Sequence, residues 1–99
     1  MPRLIWSPEA LADVQRLYRF LAQKSPDAAK CAAGAIRGGM QIIAGHPEAG
    51  RPIDTMDPEF REWPISFGAS GYVALYRLQS DFALVVAVRH QKEVGYQPP

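Results

Sequence analysis

The stretch SPEALADVQRLYRFLAQKSPDAAK, residues 7–30, contains the same helix-start signal twice. Each copy is a serine followed by a proline and an acidic residue, at positions 7–9 and 25–27. Serine is a preferred N-cap, proline suits the first helical position, and a carboxylate is favoured at the positive end of the helix dipole. Only a few residues separate the first predicted helix from the second cap, so the sequence predicts an antiparallel helical hairpin.

Apolar residues recur at helical spacing along one face of each predicted helix. In the first helix this face consists of Leu11, Val14, Leu17, Tyr18 and Leu21. In the second helix it consists of Ala29, Ala32, Ala33, Ile36, Met40 and Ile43. Cys31, the chain's one cysteine, lies in the same alanine-rich stretch and is predicted to be a small core residue.

Strand patterns flank the hairpin on both sides. Arg3–Trp6 predicts a short strand, and FREWPISF, YVALYRL and FALVVAVRH predict three more, joined by GASG and QSD turns. The order is β-α-α-β-β-β, which predicts an α+β fold with an N-terminal strand, a helical hairpin and a three-stranded antiparallel meander. We expect one domain over residues 1–99, with both helices on one face of a four-stranded antiparallel sheet. The other face would be apolar and open to a partner.

Composition and motifs exclude several function classes. The net charge of +1 is too small for strong non-specific binding to nucleic acid. No apolar run is long enough for a transmembrane helix, and the N-terminus has no apolar signal core. A single cysteine suits a reducing compartment, so we expect a cytoplasmic protein. No metal-ligand spacing and no glycine-rich phosphate loop occurs, so we expect neither a metal nor a cofactor.

Basic residues dominate what remains as candidate chemistry. Eight of the eleven basic residues are arginines, which grip planar carboxylates and phosphates. The candidate binding residues are Arg51, Arg61, Arg77, Arg89, His90, Lys92 and Tyr96. An antiparallel meander predicts that Arg61, Arg77 and the end of the last strand lie close together, where they would bind an anion. With His90 as an acid or base, such a cluster would suit metal-independent RNA cleavage, and it would equally suit docking of an acidic partner.

The chain resembles a ParE-type member of the RelE/ParE toxin superfamily, the toxin half of type II toxin–antitoxin, or plasmid-stabilisation, modules. The resemblance rests on WSPEALADVQRLYRFLAQKSPDAA, HPEAGRP, FREWPISF, GYVALYRL and VVAVRHQKEVGY. These segments follow the family's order and spacing over nearly the whole chain. The resemblance implies the α+β fold predicted above and growth inhibition in the cytoplasm.

The resemblance also implies partners. It implies a ParD-like ribbon-helix-helix antitoxin that neutralises the toxin and forms a hetero-oligomer with it. Operator DNA would be contacted only through that antitoxin, and no membrane is involved. ParE-like members are associated with inhibition of DNA gyrase and generally lack a recognised nuclease set, which makes gyrase, and hence DNA replication, the expected target.

Two alternatives follow from the same superfamily. A RelE-like member would be an enzyme, a ribosome-dependent mRNA endoribonuclease, and its candidate catalytic residues here are Arg61, Arg77, His90 and Tyr96. A member that has lost its toxicity would keep the fold as a binding module. The ParE-like resemblance of the helical hairpin and HPEAGRP favours the non-enzymatic gyrase inhibitor.

Overall fold

Two serine-capped helices lie between an N-terminal strand and a run of C-terminal strands. The structure is a computed structural model and describes residues 3–93 and 95–96. Its elements are β1 (Arg3–Trp6), α1 (Pro8–Ala22), α2 (Pro26–Gly45), β2 (Arg51–Pro52), β3 (Phe60–Phe67), β4 (Ser70–Leu78) and β5 (Phe82–His90). Among the described residues, neither helix has the length and apolar character needed to cross a membrane.

Both predicted helix starts are confirmed. The Ser7 hydroxyl accepts a hydrogen bond from the backbone N–H of Ala10 at 3.0 Å, and the Ser25 hydroxyl accepts one from Ala28 at 3.2 Å. A proline follows each cap at the start of the helix. The paired caps therefore fix where the two arms of the hairpin begin.

The sheet is mixed and has five strands in the order β1-β5-β4-β3-β2. The expectation of four antiparallel strands is wrong in two respects. β1 pairs in parallel with the edge of β5 that the meander leaves free, and β2 adds a two-residue antiparallel edge beside β3. β5 lies between β1 and β4 and is therefore paired on both sides, whereas no strand pairs with Pro64 on the side away from β4 within the described chain.

Both helices pack on one face of this sheet, as predicted. The core joins Ile36, Met40 and Ile43 of α2 and Leu17 of α1 to inward-facing residues of β3, β4 and β5. α2 and β3 approach closely at Gly39, where an added Cβ atom would lie 2.9 Å from Cγ1 of Ile65. Glycine at this position therefore lets α2 approach β3 closely.

Two core predictions are wrong. Leu11 is 50% exposed, and Cys31 is exposed. In α1 the buried positions are Ala10, Asp13 and Leu17, so the buried stripe is rotated away from Leu11 and includes a carboxylate. Cys31 lies outside the buried stripe of α2, which runs through Ala29, Ala32 and Ile36.

Candidate functional site

The pleat of the sheet separates the candidate residues onto two faces, the helix face and the outer face. Arg61 pairs across strands with Tyr76, and Arg77 pairs with Phe60. Because neighbouring side chains in a strand point to opposite faces, Arg61 lies on the helix face and Arg77 on the outer face. The prediction that these two arginines lie close together with the end of the last strand is therefore wrong.

The end of β5 is divided in the same way. His90 pairs with Tyr72 on the helix face, and their rings meet edge to face with centroids 5.5 Å apart. Arg89 pairs with Val73 and so lies on the outer face, where Tyr96 joins it. Of the four candidate catalytic residues, two therefore lie on each face, and they do not form one site.

Arg61 and Tyr76 dock the HPEAGRP loop onto the sheet. The Arg61 guanidinium donates to the carbonyl oxygen of Gly50 at 2.8 Å and to that of Glu48 at 3.2 Å. The Tyr76 hydroxyl donates to the Pro47 carbonyl at 2.6 Å and accepts from the Gly50 N–H at 2.9 Å. Burial raises the pKa of this hydroxyl, so it remains a donor at neutral pH. Arg61 of β3 thus holds this loop against the sheet.

Glu62 is the centre of a polar cluster on the outer face. Its carboxylate lies 2.6 Å from the Tyr96 hydroxyl, 3.5 Å from the Arg51 guanidinium and 3.9 Å from that of Arg89. The Arg89 guanidinium also lies over the Tyr96 ring, 5.1 Å from its centroid. Burial, and then the hydrogen bond to Glu62, raise the pKa of the Tyr96 hydroxyl well above its ordinary value. Tyr96 is thus held as a neutral phenol, which is a poor general base.

The polar cluster also reduces the apolar area that the outer face exposes to solvent. Val73, Leu75 and Ala87 belong to this face, yet each is buried. Glu62 lies directly across from Leu75, and Arg89 directly across from Val73. The expectation of an open apolar face is therefore wrong at the centre of the sheet, because cluster side chains lie beside the apolar ones.

Arg77 stands apart from the cluster. Its guanidinium lies 3.4 Å from the Glu59 carboxylate and 5.6 Å from the centroid of the Phe60 ring. Its side chain is 45% exposed, and that of Arg51 is 60% exposed, whereas the Arg89 side chain is only 17% exposed. Arg51 and Arg77 are therefore the outer-face arginines that a partner reaches most easily.

The residues after β5 form a tight turn around His90. The Nδ1 atom of His90 accepts from the backbone N–H of Lys92 at 3.1 Å. This contact places the ring proton on Nε2, which lies 3.1 Å from the Ser70 hydroxyl. The Arg89 guanidinium donates to the carbonyl oxygens of His90, Gln91 and Glu93 at 3.0–3.3 Å. His90 and Arg89 are thus both engaged in shaping the turn.

Beyond the end of β1, side-chain carboxylates accept the hydrogen bonds of the backbone amides along the edge of β5. The Asp13 carboxylate accepts from the backbone N–H of Val88 at 2.9 Å, and the Glu93 carboxylate accepts from that of His90 at 2.8 Å. Arg16 links the two carboxylates, at 3.8 Å from Asp13 and 3.2 Å from Glu93. Burial raises the pKa of the Asp13 carboxyl, and the hydrogen bond from Val88 opposes that rise. α1 is therefore fastened to β5 by ionic side chains that occupy the place of a neighbouring strand.

A groove opens on the helix face between α1 and the β3–β4 turn, with a volume of about 780 Å³. Its walls are mainly apolar, and Phe20 on its α1 side is 65% exposed. Polar groups gather at one end: Arg16, Ser70, His90, Lys92 and Glu93. The positive φ of Gly68 is the conformation that a two-residue β3–β4 turn requires at its first position, and this tight turn forms the far wall. Such a groove fits an apolar side chain flanked by negative charge.

Three acidic residues of these networks were missed by reasoning from the sequence. Asp13 carried a signal, because it falls at helical spacing between Ala10 and Leu17 on the buried stripe. Glu62 carried a weaker one, since the alternation of FREWPISF places it on the face opposite to Arg61. Glu93 carried none, because its partner Arg16 is 77 residues away. Within residues 3–93 and 95–96, no group of three or more His, Cys, Asp or Glu side chains is placed to hold a metal ion.

Comparisons with known proteins agree with this architecture. The family model of the ParE toxin of type II toxin–antitoxin systems, parDE, matches residues 4–95. The chain is 35% identical over 86 residues to the toxin RelE3 of Caulobacter vibrioides, covering 87% of this chain and 90% of that protein. A chain of the chromosomal ParDE system from P. aeruginosa has the same fold, with a TM-score of 0.72 at 20% identity over 91% of this chain and 96% of that one. The chain therefore belongs to the ParE toxin family of type II toxin–antitoxin systems, within the RelE/ParE superfamily.

Proposed function

We propose that this toxin inhibits growth by binding its target, DNA gyrase, in the cytoplasm rather than by cleaving mRNA. The observation that carries the proposal is the division of the candidate catalytic residues between two sheet faces, with Arg61 and His90 on one and Arg77 and Tyr96 on the other. A metal-independent nuclease needs its acid, its base and its phosphate-binding groups around one reacting atom. Gyrase as the target follows from the family's association with gyrase inhibition.

Two assays on the purified toxin test this proposal. In the first, gyrase supercoils relaxed plasmid in the presence of increasing toxin; in the second, a translating ribosome extract is probed for mRNA cleavage. We expect loss of supercoiling and intact mRNA. Toxin mixed with its antitoxin is the control in both assays. Cleavage of translated mRNA with undisturbed supercoiling would refute the proposal and identify the endoribonuclease alternative.

The antitoxin is proposed to be a ParD-like ribbon-helix-helix protein that carries the operator-binding function and covers the toxin with an acidic, amphipathic segment. The groove beside α1 fits such a segment, because its walls are mainly apolar and cationic Lys92 lies at its polar end. The Lys24 ammonium, 5.8 Å from the centroid of the exposed Phe20 ring, adds positive charge at the same wall. Arg61 is already bound to loop carbonyls, so it is not proposed as a docking charge.

A matched pair of variants on α1 tests the groove. Phe20 is 65% exposed and lines the groove, whereas Leu11 is 50% exposed and does not. We expect Phe20→Asp to weaken antitoxin binding by at least about 2 kcal/mol, the cost of losing an aromatic anchor. Leu11→Asp, with the same change of charge, should leave affinity within about 0.5 kcal/mol. Equal affinities for the two variants in calorimetric titrations would show that the segment docks elsewhere.

A further inference from the structure

The chain end crosses from one face of the sheet to the other. Residues 89–93 and 95–96, here called the C-terminal strap, begin at β5 and are fastened on both faces. On the helix face, Glu93 receives two hydrogen bonds from the Arg16 guanidinium, at 3.2 and 3.4 Å. On the outer face, the Tyr96 hydroxyl donates to Glu62 at 2.6 Å. Gly95, with a φ of 71°, supplies a backbone conformation that other residues rarely adopt between these two contacts.

The strap is also one wall of the groove. His90, Lys92 and Glu93 line its polar end, and their positions depend on the turn that contains them. The Arg89 guanidinium stabilises that turn through three carbonyl oxygens, while its other face lies against the Tyr96 ring. A change at Tyr96 therefore reaches the groove through Arg89, although the two lie on opposite faces.

We propose that Glu62 and Tyr96 are positioning residues for the groove: their contact on the outer face holds the strap in the conformation that binds the partner on the helix face. The inference rests on the proposed use of the groove as the docking site of the antitoxin. Without the contact between Tyr96 and Glu62, the strap samples conformations in which it is not held on the outer face. The apparent affinity for the partner then falls in proportion to the fraction of molecules whose strap keeps the binding conformation. Neither residue lines the groove, whose walls come from α1, from the ends of β3 and β4 with the turn between them, and from His90, Lys92 and Glu93.

The variants that test this change single polar groups. Tyr96→Phe removes the hydroxyl that bonds to Glu62 and keeps the ring beneath Arg89. Glu62→Gln removes the charge but keeps an oxygen that accepts the hydrogen bond from Tyr96. We therefore expect this variant to hold the strap nearly as well as the native protein does. Tyr18→Phe removes a hydroxyl from α1 outside the groove lining and is the control.

The first readout is amide hydrogen exchange in the isolated toxin. In Tyr96→Phe the backbone amides of His90, Gln91, Lys92 and Glu93 should exchange faster, since all four donate hydrogen bonds in or beside the turn. Core amides of β4 should be unchanged. Faster exchange throughout the sheet, with a lowered melting temperature, would make Tyr96 a general stability residue and overturn the inference. Unchanged exchange of the strap amides would overturn it equally.

The second readout is groove affinity, measured with anilinonaphthalene sulfonate, an aromatic anion whose fluorescence reports transfer into an apolar site. We expect the Kd of this dye to rise about three- to tenfold in Tyr96→Phe, the range expected for the net loss of one typical hydrogen bond. Glu62→Gln should lie between Tyr96→Phe and the native protein, and Tyr18→Phe should match the native protein. An unchanged Kd in Tyr96→Phe, where Phe20→Asp does abolish binding, would refute the inference alone. An unchanged Kd in Phe20→Asp would instead count against the groove as an apolar docking site, and the exchange data would still decide the role of Tyr96.

Discussion

Replacing Tyr76 with phenylalanine removes one buried hydroxyl that holds the HPEAGRP loop on the sheet. The ring is fully buried in the core, so the substitution leaves the packing of the aromatic ring in place. What is lost is the hydrogen bond to the Pro47 carbonyl at 2.6 Å and the bond from the Gly50 N–H at 2.9 Å. An added Cβ atom at Gly50 would lie 2.9 Å from the carbonyl oxygen of Glu62, so the loop backbone packs closely against β3 at this position.

The magnitude follows from those two bonds. Each contributes a net amount of about 0.5–1.5 kcal/mol to stability. The Gly50 N–H is buried, and an unsatisfied buried donor costs about 1–3 kcal/mol, so we take the upper part of the range. We therefore expect Tyr76→Phe to lower the free energy of unfolding by about 2–3 kcal/mol. For a domain of this length, that corresponds to a fall in melting temperature of about 10–20 °C.

Thermal and urea unfolding of the antitoxin-free toxin, followed by circular dichroism, measure this change. Tyr72→Phe is the matched control, since Tyr72 is also buried on β4 but its hydroxyl forms no hydrogen bond within the described part of the chain. We expect it to change stability by less than about 1 kcal/mol. If Tyr76→Phe and Tyr72→Phe melt within about 2 °C of each other, the loop is not held by the hydroxyl and this reasoning is refuted.

Two further predictions concern α2 and α1. Gly39→Ala should destabilise the fold by about 1 kcal/mol or more, because the added Cβ atom would lie 2.9 Å from Ile65. Gly34→Ala should instead stabilise the fold by about 1 kcal/mol, because its added Cβ atom meets nothing within 4 Å. If both variants are more stable than the native protein in urea unfolding, α2 does not approach β3 as closely as described. Burial raises the pKa of Asp13 above its ordinary 3.8, so the folded chain keeps this proton at pH values where the unfolded chain has lost it. The free energy of unfolding should therefore fall as pH rises from about 3.8 through the raised pKa, and Asp13→Asn should flatten that slope in urea titrations; an equal slope in the variant would show that Asp13 is not its source.

The sequence predicted the elements of the fold because their signals are local. Caps at Ser7 and Ser25 define the helix starts within four residues of themselves, and the alternation in FREWPISF correctly assigns Arg61, Trp63, Ile65 and Phe67 to one face. The parallel pairing of β1 was not predictable in this way. It depends on which edge of β5 remains free after the meander has formed, which is a property of the assembled sheet.

The site was predicted less well than the fold, and the reason is geometric. Strand alternation allows Arg61 and Arg77 to lie on different faces, but assigning faces across strands requires the register, and the sequence does not contain it. The register pairs Arg61 with Tyr76, one residue from Arg77, and that single step moves the two guanidiniums to opposite faces. The register between β4 and β5 also shifts at a β-bulge between Leu75 and Tyr76, and this shift changes which residues of β4 lie opposite the end of β5.

The four candidate arginines of the sheet, Arg51, Arg61, Arg77 and Arg89, have one of two roles, and the difference decides which of their charges a partner can reach. Arg61 and Arg89 donate to backbone carbonyl oxygens of a loop and a turn, so their guanidiniums serve as cross-links that no partner needs to neutralise. Arg51 and Arg77 meet single carboxylates at 3.5 and 3.4 Å with much of each side chain in solvent. Exposed pairs of this kind contribute little to stability, so a carboxylate on a partner displaces the internal one at little cost. We therefore expect a partner that binds the outer face to recognise Arg51 and Arg77, the arginines whose ion pairs contribute least to the stability of the fold.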